Sequence, residues 1–157
     1  MIVLLFTFSC NNEKKAVVFN DSLTEQKQLA DNDFTILNRN ISISLKDSNY
    51  AYIAEIVTQY TDSLNNRLQQ SKQLNFAGSD NEFQKYVILY IETLIRTAQS
   101  YRGYNILSDE KATPSQLDSV YKIVRNNEFA SDSVLQILVL KQREFAKNNN
   151  FKLSTEK

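Results

Sequence analysis

The sequence predicts an all-α fold, a four- to five-helix antiparallel up-and-down bundle, on three observations. Glycine occurs twice and proline once in 157 residues, too few for the many turns of a sandwich, barrel or doubly wound sheet. Apolar residues recur at steps of three and four along most of the chain. Helix-start signals punctuate it with only short connections between them, which favours antiparallel neighbours.

Ser22-Leu23-Thr24-Glu25 fits a capping box, in which the first hydroxyl accepts an amide three residues on and the glutamate accepts one in return. Ala30, Phe34, Leu37, Ile41 and Leu45 then make one helical stripe. Ile41 to Leu45 also alternates as a strand would, but a lone five-residue strand without a partner loses to the longer pattern. Asp47 and Ser48 offer the next cap. Ile53, Val57, Tyr60, Leu64 and Leu68 follow on one face, with Glu55, Asp62 and Asn66 opposite, to about Leu74.

Ser79-Asp80-Asn81-Glu82 is a second capping box after a turn at Phe76-Ala77-Gly78. It opens a helix carrying Phe83, Val87, Tyr90, Leu94, Ala98 and Tyr101 on one face. Ile88, Leu89 and Ile95 widen its apolar surface, as befits a central helix touched from several sides. Glu92 and Arg96, four apart, are expected to form a surface ion pair. Gly103 is expected to end the helix in the left-handed conformation.

Thr113-Pro114-Ser115-Gln116 is the strongest start, with Thr as cap, Pro where its missing amide costs nothing, and Gln closing the box. Leu117, Val120, Tyr121 and Val124 are expected to face inward. The pattern falters at Asn126-Asn127 and restarts at Ser131 or Asp132, with Val134, Leu138 and Phe145 in register and Leu135, Ile137, Val139 and Leu140 broadening the face. Residues 149–157 read as a frayed tail. Asp-Ser-apolar triplets recur at Asp21, Asp62, Asp118 and Asp132 without a fixed period, so they do not mark a repeat protein.

Composition narrows the chemistry. Lys plus Arg equals Asp plus Glu at 18 each, so no net field draws the chain to a phosphate backbone, and nucleic acid is not an expected partner. Histidine is absent, which removes the commonest general base and metal ligand. Acidic residues are scattered without the spacing of a calcium loop or a di-iron bundle, and two glycines cannot build a phosphate-binding loop. No metal, cofactor or catalytic residue is expected, and the chain does not read as an enzyme.

The first ten residues carry the clearest functional signal. Ile2 to Phe8 are apolar apart from Thr7, Ser9 and Cys10 follow, and the polar run Asn11-Asn12-Glu13-Lys14-Lys15 begins at once. The block is far shorter than the roughly 20 residues of a membrane span but matches the apolar region of a signal peptide. A small residue directly before the only cysteine resembles the lipobox of bacterial lipoproteins, although Thr7 stands where the standard motif has leucine. That resemblance covers ten residues. It implies a signal peptide over 1–9, diacylation of Cys10 as the mature N-terminus, a tether over 10–21 and a bundle domain over 22–148. It also implies a place in the cell envelope, with Asn11 after the cysteine leaning to the outer membrane, facing periplasm or surface. Ala16, Val17, Val18 and Phe19 are expected to dock on the domain. The alternative is an unanchored cytoplasmic helical protein in which Cys10 is a small buried side chain.

Eight tyrosines remain. Tyr60, Tyr86, Tyr90 and Tyr121 fall on core stripes, whereas Tyr52, Tyr101, Arg102 and Tyr104 sit near helix ends and are the candidates for a patch that binds a partner protein. The expected function is an accessory or inhibitory protein-binding role on a lipid anchor. The rival is a small apolar or aromatic ligand held between helices and oriented by tyrosine hydroxyls.

Overall fold

The computed structural model describes residues 7–77 and 82–153. Four α-helices and one 3-10 segment account for nearly all of them: α1 (Thr7–Lys46), α2 (Tyr50–Gln73), α3 (Glu82–Ser100), the 3-10 segment Tyr101–Ser108, and α4 (Pro114–Asn148). Paired residues step in opposite directions between neighbours. Asp33 of α1 meets Ser63 and Arg67 of α2 while Asn40 meets Tyr60, and along α3 and α4 Phe83 lies against Phe145 while Thr97 meets Ser131. The fold is an all-α, antiparallel up-and-down bundle.

The apolar stripes read from the sequence form the core. Ala30, Leu37 and Ile41 of α1, Ile53, Val57, Leu64 and Leu68 of α2, and Phe83, Val87, Tyr90, Leu94 and Ala98 of α3 are all buried. α3 packs against each of the other three helices, which its wide apolar surface allows. The Thr113 box forms as expected. Its hydroxyl accepts the Gln116 amide, and the Gln116 side chain accepts the Thr113 amide at 2.8 Å.

Local signals elsewhere yield to packing. α1 runs through Ser22 without a break, at 40 residues a rod of about 60 Å. Ala16 and Phe19 are buried N-terminal to that capping box, so the bundle's packed body extends past it. α4 likewise continues through Asn126-Asn127 and does not restart at Ser131, because Ser131 and Glu128 bond across to Thr97 and Tyr101. The cap of α2 is Asn49 rather than Asp47 or Ser48, without a side-chain hydrogen bond, and Ser48 takes φ 56° in the tight turn. Glu92 pairs with Lys72 of α2 at 3.2 Å instead of Arg96. The Ser79–Asn81 part of the second box, the Gly78 turn, residues 1–6 and residues 154–157 lie outside the described residues.

Gly103 also differs from expectation. It sits inside the 3-10 segment with ordinary negative φ. A methyl group there would lie 2.9 Å from Val120 Cγ1, so the absence of a side chain lets this segment approach α4.

Candidate functional site

Four tyrosine and arginine side chains named from the sequence are divided by the fold. Tyr101 and Tyr104 begin the 3-10 segment, which turns their rings inward, leaving them 4% and 8% exposed. Their rings stack at 5.9 Å, with Phe34 on one side and Tyr121 on the other. The Tyr101 hydroxyl lies 2.8 Å from Asn38 Oδ1 and 3.1 Å from Glu128 Oε1, its one proton shared between the two acceptors, which ties α1 and α4 to the 3-10 segment. Burial, reinforced by the Glu128 carboxylate, pushes the Tyr101 and Tyr104 hydroxyls above the ordinary tyrosine pKa. These two belong to the interior.

Tyr52 and Arg102 are exposed. Arg102 donates to Thr58 Oγ1 at 2.9 Å across to α2. Of the four tyrosines assigned to core stripes, Tyr90 is buried and its hydroxyl donates to Asp31 at 2.8 Å, while Tyr60 and Tyr86 are half-buried. Tyr121 is the exception, half exposed with its ring tilted against Tyr104 at 5.7 Å.

The outward side of α4 holds what the sequence reading missed. Phe129 and Leu140 are 57% and 54% exposed, and Ile123 and Ile137 are also exposed. On a helix of 3.6 residues per turn Phe129, Ile137 and Leu140 fall within about a quarter of the circumference, on the side away from Val124, Leu138 and Phe145, whereas Ile123 lies at the edge of the buried face. Arg125 holds its guanidinium 5.4 Å from the Phe129 ring centre. The run Val134-Leu135-Gln136-Ile137-Leu138-Val139-Leu140 is therefore not one broad inward face. It presents apolar side chains on both sides of the helix, the signal in the sequence that a second surface exists.

At the opposite end of the bundle from the tyrosine stack, phenylalanines gather. Phe19 stacks on Phe76 at 5.2 Å, Phe145 lies between them and Phe83, and Phe151 closes the cluster edge-on. An open groove of about 550 Å³ lies beside it, between the first turns of α1 and the segment after α2. Neither this groove nor two smaller hollows, one under Thr24 and Gln142 and one beside Phe151, is lined by a tyrosine.

Among the described residues no cluster of three or more acidic or cysteine side chains is arranged to hold a metal ion, and no helix is long and apolar enough to cross a membrane. In comparisons with known proteins the chain matches no family profile, no curated protein and no solved structure.

Proposed function

We propose that the chain is a small cell-envelope protein, anchored by lipid on Cys10, whose bundle binds a partner protein as an accessory subunit or an inhibitor without catalysing a reaction. The observation that supports the binding role is the outward side of α4. Three large apolar side chains there, Phe129, Ile137 and Leu140, gain nothing from water and make no contribution to the core, whereas contiguous exposed apolar surface is a common mark of protein interfaces. Phenylalanine and arginine, stacked here at Phe129 and Arg125, are both enriched at protein interfaces. The anchor rests on the apolar segment that stops at Cys10, and the non-catalytic role on the absence of histidine.

Two measurements test the two halves separately. The intact mass of natural protein is expected to lack residues 1–9 and to carry acyl chains; a full, unmodified chain would remove the envelope assignment. A photo-crosslinking residue placed at Phe129 or Leu140 in the producing cell is expected to give one discrete adduct that the same residue at Asn66, on the exposed side of α2, does not. Equal adducts at all three positions would show that the α4 surface has no special partner.

A further inference from the structure

We propose that the groove beside the phenylalanine cluster is a binding site for a long-chain carboxylate, held by its hydrocarbon tail on Phe19, Leu74, Phe76 and Val18 and by its head on Lys14 and Lys15. This site is independent of the α4 surface.

The chemistry follows from what lines it. The groove's volume of about 550 Å³ lies within the roughly 300–1,000 Å³ of small-molecule sites, and most of its wall is apolar. Val18 is among the most exposed large apolar side chains of the chain, and it stands on the wall rather than against the core. Phe76 leaves α2 and stacks on Phe19, which fixes a flat aromatic floor. The consecutive Lys14 and Lys15 are the charged residues of the lining, beside the uncharged Asn12, Ser22, Asn75 and Asn149, and among the described residues no carboxylate lines it. Neither ammonium makes an ion pair with a described residue, whereas Lys27, Lys72, Lys85 and Lys141 all do. A neutral apolar ligand would cover this floor but leave two cations at its edge without a counter-charge, and a cationic amphiphile would be repelled. An anionic head on an unbranched tail satisfies both parts of the site.

The test uses the full chain carrying Cys10→Ser, so that no acyl group of its own competes, titrated calorimetrically with fatty carboxylates below their micelle-forming concentrations. Laurate is expected to bind, and each methylene added from octanoate to laurate to tighten binding by up to about fourfold. K14E/K15E, at two exposed positions, is expected to melt as the parent does, to weaken laurate at least tenfold, and to gain affinity for dodecyltrimethylammonium. Val18→Asp is expected to weaken laurate similarly. Laurate binding that ignores charge reversal, equal affinity for the cationic amphiphile, or no dependence on chain length would each overturn the proposal. So would binding to phosphatidylglycerol vesicles through the same lysines without binding of monomeric laurate, which would make this end of the bundle a lipid-surface reader.

Discussion

The Tyr101 hydroxyl reaches Asn38, 63 residues earlier in the chain, at 2.8 Å, and the same oxygen bonds Glu128 of α4. One side chain thus joins three elements that the sequence separates widely. Tyr101→Phe would leave the Asn38 and Glu128 acceptors short of a donor while keeping the ring stack on Phe34 and Tyr104. A loss of about 1–2 kcal/mol in denaturant unfolding is expected. Tyr52→Phe, on an exposed ring, should change stability by less than about 0.5 kcal/mol.

Tyr90 and Tyr101 make the fold sensitive to alkali. Burial raises both hydroxyls above their ordinary pKa of 10.0, with the Asp31 carboxylate adding to the effect at Tyr90 and Glu128 at Tyr101. The folded chain therefore keeps these protons, and that of Tyr104, whose hydroxyl burial raises as well, where the unfolded chain releases them from about pH 10 upward. Since the folded pKa is the higher one, their contribution to stability is complete below pH 10 and declines as pH rises beyond it. Unfolding midpoints measured from pH 8 to 11.5 are expected to fall above pH 10, and to fall less steeply in Tyr101→Phe. A parallel dependence in the variant would refute the assignment.

The contact between Gly103 and Val120 sets how closely the 3-10 segment meets α4. Gly103→Ala places a methyl 2.9 Å from Val120 Cγ1, a β-branched side chain with little rotamer freedom. A loss of about 1–3 kcal/mol is expected from the overpacking. Val120→Ala in the same chain should recover part of it, so that a double-mutant cycle gives a favourable coupling between the two alanines.

Ser71 is fully buried on α2 and its hydroxyl has no partner among the described residues, although its carbonyl accepts from Gln84 Nε2 at 2.8 Å. Ser71→Ala removes the unpaired oxygen, keeps the carbonyl and improves helix propensity. A gain of about 1 kcal/mol is expected, read as a higher melting temperature. Destabilisation would mean that the hydroxyl has a role in the fold that its surroundings do not show.

The amino-acid order determined the helices wherever the signal was local or periodic. The Thr113 box formed because its two hydrogen bonds close within four residues, and the α2 and α3 stripes became core because a 3.6-residue repeat puts them on one side of whatever helix forms. Tertiary structure decided the rest. Ser22 and Asn126-Asn127 look like boundaries, yet a cap contributes only about 1 kcal/mol, and burying Phe19 and Ala16 on one side and bonding Ser131 to Thr97 on the other outweighs it. Tyr101 and Tyr104 went inside because the chain tightens into a 3-10 turn at the end of α3, and Gly103 lets that turn press against Val120. Whether Ile137 and Leu140 face core or water could not be read from an apolar run that surrounds the helix. It depends on how many neighbours α4 has, and the bundle supplies them on one side only.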